Sequence, residues 1–376
     1  MEWVHTAEQL DIGAGLRRLL AEKCGSETVR AAMASPDGSA DALSQQLDAQ
    51  LGLSSLAIPE EYGGAGLGQT ELALVQHELG RVVAPTPFFA SSVLAANALL
   101  AAGDEAARAE LLPGIAEGSV RATLALTEES GLWDLEAVRT TATRTGDGWT
   151  LDGVKAFVVD GHVADLVVVV ARAPEGLGLF AVDGTAPGLT RAQLSTLDQT
   201  RRQARLELSA TPARSLARPG TDVDTLARAL DLAALGLAAE LVGGAEACLE
   251  ASIAYAKERV QFGRQIGSFQ SIKHQLAEHF LAIESAKSAV HYAAQQADTG
   301  GSELGLAASI AKAYAADAYW DMAVANVHLH GGIGFTWEHD AHLHYKRAKS
   351  MQLYLGDAVH HRELIARRLG LQPLAG

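Results

Sequence analysis

The sequence predicts an α+β protein in three successive parts: an N-terminal helical domain, a central antiparallel β domain and a C-terminal four-helix bundle. Three observations predict it. Residues 1–122 are dominated by helix-compatible segments, broken by one long loop. Residues 123–215 carry short runs of β-formers separated by turn signals, at the spacing of an antiparallel sandwich or barrel. Residues 216–376 return to long helical periodicity with short connections, the pattern of a bundle.

In the first part, Glu8 to Ala21 and Ala40 to Gln50 have helical composition, and Glu71 to Leu79 places Leu72, Val75 and Leu79 on one side of a helix. Between them, Ile58-Pro59-Glu60-Glu61-Tyr62-Gly63-Gly64-Ala65-Gly66-Leu67-Gly68 cannot continue a helix, because of its proline and clustered glycines. Its glycines do not follow a strand in the GxGxxG pattern, so it is no dinucleotide fingerprint. Ala90 to Ala102 and Glu105 to Leu112 add further helix. The β part comprises Leu124–Thr127, Ala137–Arg144, Trp149–Leu151, Ala156–Val159, Leu166–Ala171, Gly178–Val182 and Gln203–Leu208. Gly146-Asp147-Gly148 and Asp152-Gly153 supply turns between them. After Pro219-Gly220, one helix face carries Leu226, Leu230, Ala233, Leu237, Leu241 and Cys248. Phe269, Ile272, Leu276, Phe280 and Ile283 line the next helix behind a Ser268 cap. Leu306, Ile310, Ala313 and Tyr314 mark a third, and Met351 to Leu369 a fourth.

Composition narrows the function classes. Thirty basic against 45 acidic residues give a formal net charge of −15, which argues against nucleic-acid backbone and anionic membrane surfaces as partners. The two cysteines, Cys24 and Cys248, have neither disulfide-framework nor zinc spacing. The start Met1-Glu2-Trp3-Val4-His5 shows no signal-peptide pattern, and the apolar stretch Leu232–Ala245 is short for a membrane span and contains Glu240. A soluble cytoplasmic protein is expected. The late histidines, among them His328, His330, His342, His344, His360 and His361, show no HExxH and are expected at solvated helix ends and subunit contacts rather than on a metal.

Three segments then carry a resemblance. They are Ile58-Pro59-Glu60-Glu61-Tyr62-Gly63-Gly64, Glu258-Arg259-Val260-Gln261-Phe262-Gly263-Arg264 with Phe269-Gln270, and His330-Gly331-Gly332-Ile333-Gly334-Phe335. In this order and spacing the chain resembles the acyl-CoA dehydrogenases over nearly its whole length. Leu126-Thr127-Glu128 and the turn from Phe157 to Asp160 sit where that family's flavin-facing β segments belong. The resemblance implies FAD as cofactor, an acyl-CoA thioester as substrate and an α,β-unsaturated thioester as product, with electron-transfer flavoprotein as electron acceptor. It assigns cofactor contacts to Arg259, Gln261, Phe262, Phe269, Gln270, His328, Gly331, Gly332, Gly334 and Thr127. In the family the C-terminal set holds the ADP half of the FAD of a neighbouring subunit. The residue chemistry agrees: a guanidinium fork suits a pyrophosphate, and glycines let backbone N–H groups approach it. Each assignment has a structural alternative: an ion pair with Glu258 for Arg259, a tight interhelix turn for the glycines, an ordinary strand threonine for Thr127.

Dehydrogenation removes the Cα proton while hydride leaves Cβ, so a carboxylate base is required. Here the sequence departs from the family twice. Tyr354-Leu355-Gly356-Asp357 resembles the family's Tyr-Glu-Gly-Thr, with leucine at the glutamate position. The alternative base position, counted back from Arg259, falls at Ala233, beside Ala234 where relatives carry arginine. Relatives also use Trp-x-Thr against the flavin; Phe157-Val158-Val159 keeps the ring and loses the hydroxyl. Glu240, seven residues after Ala233 on the same helix face, is the remaining candidate base, or else an interior glutamate paired with a lysine, arginine or histidine. Asp357 is the runner-up, or else a helix cap before Ala358. Two readings result. Either the chain completes the FAD site of a homologous base-carrying subunit in an α2β2 assembly, or it is a self-sufficient homotetrameric enzyme using Glu240 or Asp357. A flavin oxidase or monooxygenase on the same fold is a third.

Overall fold

The computed structural model describes residues 5–146, 148–217, 220 and 223–371; Met1–Val4, Asp147 of the expected turn and Pro219 lie outside them. The chain opens with α1 (Ala7–Lys23), α2 (Ser26–Ala34), α3 (Asp41–Leu51) and α4 (Gln69–Arg81). A capping box starts α1: the Thr6 hydroxyl accepts from the Gln9 N–H and the Gln9 side chain accepts from the Thr6 N–H. Next, a π-helical stretch over Phe89–Ala96 runs into α5 (Asn97–Ala102), and α6 (Glu105–Ala116) starts on the Asp104 cap. Sequence periodicity did not reveal α2, a run of only nine residues that buries Val29, Ala32 and Met33.

The β region comprises β1 (Ala122–Ala125), β2 (Thr141–Thr145), β3 (Gly148–Val159), β4 (Leu166–Ala173), β5 (Gly176–Asp183), β6 (Leu189–Gln193) and β7 (Gln203–Ser215). Antiparallel ladders join β2 to β3, β3 to β7, β7 to β5 and β5 to β4; β6 adds to β7. A parallel pair, Thr141 opposite Arg172, returns from β2 to β4 and closes the sheet on itself. The β1–β4 ladder is also parallel, a detail that the antiparallel expectation lacked. Trp149–Leu151 and Ala156–Val159 are not separate strands: both belong to β3, and Asp152-Gly153 is a register shift within it rather than a turn. Leu151, Val158, Val167, Val169, Phe180 and Leu206 pack the barrel interior.

Beyond the barrel come α7 (Val223–Glu258), a hairpin of β8 (Val260–Gln261) and β9 (Arg264–Gln265), then α8 (Gln270–Asp298), α9 (Leu304–His330), α10 (Ala341–Leu353) and α11 (Ala358–Arg368). The expected Ser268 cap is absent: Phe269 occupies the cap position, and the Ser268 hydroxyl donates to the Gln265 carbonyl. By length and composition α7 would pass for a membrane span, but 89% of its most apolar stretch is buried. Both cysteines are free and buried.

The chain packs as two compact units. One joins the segment up to Val29, Gln69–Ala84 and Ala234 onward; the other joins Arg30–Gly68 and Pro85–Ala233. In the first unit α4 crosses α7 at very short range. A Cβ on Gly243 would stand 1.9 Å from the His77 carbonyl oxygen, and one on Gly80 would stand 2.1 Å from that of Glu240. Both obstacles are backbone, so neither can swing away. Gly243→Ala is therefore expected to force the helices apart and cost about 1–3 kcal/mol in urea denaturation; an unchanged midpoint would show that the crossing is loose.

Candidate functional site

The proposed cofactor-facing residues cluster where α7 and α9 end. The Tyr255 and His330 rings meet with centroids 4.3 Å apart, and His330 stacks on to His339 at 4.5 Å. The Ser252 hydroxyl donates to Asn326 Oδ1 (2.9 Å), and His330 Nδ1 lies 2.8 Å from the Asn326 carbonyl. Arg259, whose N–H donates to the Tyr255 carbonyl, and Gly331, which follows His330, thus leave from adjoining helix ends. Arg259 is exposed and pairs with no carboxylate among the described residues. After it, the β8–β9 hairpin turns through Phe262 (φ 54°) and Gly263 (φ 77°). Two consecutive left-handed residues make the tight hairpin loop that usually selects asparagine and glycine. Phe262 is nevertheless there, and 92% exposed, its ring edge-on to Phe269 at 6.1 Å. The Arg264 guanidinium covers the Phe269 ring at 4.0 Å. Gln261, Gln270 and His328 are exposed as well. Gly331 has φ 62° and open space where a Cβ would stand; Gly334 is buried, and a Cβ there would meet His330 at 2.8 Å.

In the second unit Thr127 takes the part of a strand threonine, the alternative reading open for it. The residue is 2% exposed and its hydroxyl donates to the Ala156 carbonyl at 2.7 Å, stitching the exit of β1 to β3. Beside it Lys155, fully buried, donates to the Leu126 carbonyl and to Glu128 Oε1, both at 2.9 Å. Burial pushes the Lys155 ammonium down to about 8 against the opposing pull of Glu128. Val159 is buried and its carbonyl accepts from the Thr123 hydroxyl. Phe157 is half-exposed with φ 58°.

Neither candidate base presents a free carboxylate. Glu240 Oε1 lies 2.7 Å from Arg347 Nη1, with side chains 3% and 2% exposed. Glu240 is thus held in a buried ion pair, the second of the two readings open for it. Asp357 caps α11, accepting from the His360 N–H at 2.8 Å. At the position of the family's glutamate, Leu355 is buried and holds φ 60°. Its carbonyl lies 2.9 Å from His361 Nε2, while Lys312 Nζ donates to the carbonyls of Gly356 (2.9 Å) and Gln352 (3.2 Å). Burial drives His361 down to about 3, with Lys312 adding to the effect, so the imidazole is neutral and donates through Nε2. Contrary to the expectation of solvated histidines, His330, His342 and His361 are buried.

Comparison with known proteins agrees with this geometry. The profile of the acyl-CoA dehydrogenase N-terminal domain matches residues 6–119, that of the middle domain 123–209 and that of the C-terminal domain 223–370. The chain belongs to the acyl-CoA dehydrogenase family. It is 38% identical over 333 residues to the acyl-CoA dehydrogenase IpdE2 of Mycobacterium tuberculosis, covering 88% of this chain and 87% of that one. It is 31% identical to an acyl-CoA dehydrogenase of Bacillus subtilis, over 85% and 87% of the two. Among solved structures, it matches the Tcur3481–Tcur3483 steroid acyl-CoA dehydrogenase variant with a TM-score of 0.89 and 34% identity, covering 96% and 98% of the chains. The ChsE4–ChsE5 complex of M. tuberculosis matches at 0.91 and 29%, each chain fully covered.

Membership makes the chain an oxidoreductase acting on CH–CH bonds, with FAD as the family's cofactor. The residues present fit part of that group. Unpaired Arg259, the exposed amides of Gln261 and Gln270 and the open cradle at Gly331 form a donor set for a pyrophosphate and its nucleoside. The isoalloxazine side is poorer, since Thr127 is turned into the backbone and Val159 brings no hydroxyl. Sequence reasoning missed Tyr255, Lys155, Lys312 and Arg347. Only a lysine inside an apolar run, as at Lys155, gave a visible signal.

Two outcomes follow from these bonds. Glu240→Gln should lower stability by about 3–5 kcal/mol, because it removes the carboxylate that buried Arg347 faces at 2.7 Å; unaltered denaturation with lost activity would restore Glu240 as a base. Burial pushes Lys312 from its ordinary 10.5 down to about 7. Between those values the unfolded chain holds the proton that the folded chain has released, so this group's contribution makes stability rise with pH. Lys312→Met should remove that rise from a plot of urea midpoint against pH, and an identical plot would mean that Lys312 stays charged.

Proposed function

We propose that this chain is the base-less subunit of a FAD-dependent acyl-CoA dehydrogenase, completing the FAD site of a homologous, base-carrying partner in an α2β2 assembly. The observation that carries this reading is the turn Tyr354-Leu355-Gly356-Asp357. It is held by Lys312 and His361, yet it offers a buried leucine where the chemistry needs a carboxylate. The positions lost, Ala233, Ala234, Leu355 and Val159, are those which the family resemblance assigns to a chain's own flavin and substrate. Those retained, Arg259 and the loop from Gly331 to Gly334, are the ones it assigns to a neighbour's cofactor. The match to a two-protein complex, ChsE4–ChsE5, and to a steroid acyl-CoA dehydrogenase supports a paired assembly acting on a bulky lipid or steroid thioester.

In that assembly FAD supplies the hydride acceptor for the Cβ–H bond. This chain's part is binding. The Arg259 guanidinium neutralises the pyrophosphate, Gln261 and Gln270 offer amides to the nucleoside, and Phe262 covers apolar surface on the partner. The Cα proton goes to the partner's carboxylate. Electron-transfer flavoprotein as acceptor, the cytoplasm as location and the domain division 1–122, 123–215 and 216–376 belong to the same reading.

The test is purification of the chain alone and together with a base-carrying homologue. The chain alone is expected to show no acyl-CoA-dependent flavin bleaching, and the pair to show it. Arg259→Ala in this chain should weaken flavin retention by the pair by roughly 10–150-fold, the equivalent of a charge-assisted hydrogen bond worth about 1.5–3 kcal/mol. A homotetramer that turns over by itself with one FAD per chain overturns the reading.

A further inference from the structure

We propose that a cavity of about 730 Å³ among α1, α4, α7 and α8 binds a free amphipathic carboxylic acid, with its apolar body inward and its carboxylate at Arg18. This goes beyond the flavin-completing role and shares no residue with it. The cavity lies wholly within the first compact unit. Its volume is within the range of small-molecule sites, about 300–1,000 Å³. Leu10, Gly13, Ala14, Ala73, Ala239 and Val242 supply apolar walls.

The space persists because the helices around it are held by polar spacers. Arg17 donates through Nε and Nη2 to both oxygens of Glu78 (2.8 and 2.7 Å), fixing α1 to α4. His77 Nε2 lies 2.9 Å from Glu246 Oε2, fixing α4 to α7. Lys287 Nζ donates to Glu246 Oε1 at 2.7 Å, fixing α8 to α7. Such forked, charge-assisted contacts set helix separation, and the small side chains between them do not fill it.

Charge decides the ligand's sign. His77 faces a carboxylate oxygen with each ring nitrogen, Glu78 at 3.0 Å and Glu246 at 2.9 Å, and although burial opposes it, these two partners raise its pKa above the ordinary value. Among the described lining residues the permanently charged groups are Arg17, Arg18 and Lys287 against Glu78 and Glu284. Three against two leaves a positive excess among those residues, in a chain whose net charge is −15. Arg18, exposed at the lip, pairs with no carboxylate among the described residues. A carboxylate supplies that missing partner, whereas an ammonium would add to the excess.

The probe is dodecanoate, titrated calorimetrically into the purified assembly, with dodecan-1-ol and dodecyltrimethylammonium as head-group controls. Dodecanoate should bind once per copy of this chain, and the two controls about tenfold more weakly or less. Gly13→Phe fills the space, since a Cβ there meets nothing within 4 Å, and should abolish binding while the protein stays folded. Arg18→Glu, a surface change, should weaken dodecanoate by about tenfold or more and leave flavin content intact. Absent saturable binding, equal binding by the three probes, or unaltered binding in Arg18→Glu overturns the proposal. Should Gly13→Phe not fold, Arg18→Glu decides alone. Neither result touches the flavin-completing role, which flavin content reports separately.

Discussion

The first unit depends on the place where Glu240 sits. Its side chain reaches Arg347 of α10 across 2.7 Å with both groups almost sealed from water, and its backbone carbonyl is the surface against which Gly80 of α4 lies. One residue thereby joins three helices. The arrangement constrains chemistry as much as shape. A buried carboxylate 2.7 Å from a guanidinium is part of the packing, and breaking such a pair by removing one partner is costly. A general base needs the opposite: a proton acceptor near solvent pH that reaches substrate without breaking a structural pair. Glu240 serves structure, and the bundle interior offers no second carboxylate at the family's base positions.

Of the non-glycine residues held at positive φ, Phe262 and Leu355 bear on function. Phe262 takes a left-handed conformation at a hairpin tip while 92% of it faces outward. A lone monomer gains nothing from that combination, since the strain is uncompensated and the ring is wet. It becomes sensible against another chain. Leu355 holds the same conformation indoors, its carbonyl held by His361 and the next one by Lys312. There the surroundings over-determine the backbone, whatever side chain it carries.

Much of this was legible in the sequence where the signal was local. Alternation and turn residues marked the β region, and the i, i+3, i+4 recurrence marked the long helices. The hairpin and glycine loop stood out because their residue types are unusual. What stayed hidden was pairing between distant positions. Nothing near Glu240 announces Arg347, more than a hundred residues later, although an ionic partner was one of the two readings open for it. Thr127 looked like an outward donor because a strand threonine has no sequence mark for the direction of its hydroxyl. Asp152-Gly153 has the composition of a turn, yet the partner strand β7 turns it into a register shift inside β3. In each case tertiary contact overrode a sound local preference.

On the reading proposed above, the pattern of loss belongs to a division of labour rather than to decay. A decaying site would lose its scaffold along with its side chains, since nothing would maintain buried donors such as Lys312 against their desolvation cost. Here the scaffold is complete. The Tyr354–Asp357 turn keeps its cap, its lysine and its histidine, and the β1–β3 stitch keeps Thr127, Lys155 and Glu128. Only the reacting side chains are exchanged for leucine, alanine and valine, all of them well packed. Meanwhile the exposed elements at the ends of α7 and α9 carry a strained phenylalanine, an arginine with no carboxylate partner among the described residues and an open glycine cradle. Exposed side chains that cost a monomer stability make sense against something outside the chain, and the proposed reading gives that place to a neighbour's cofactor.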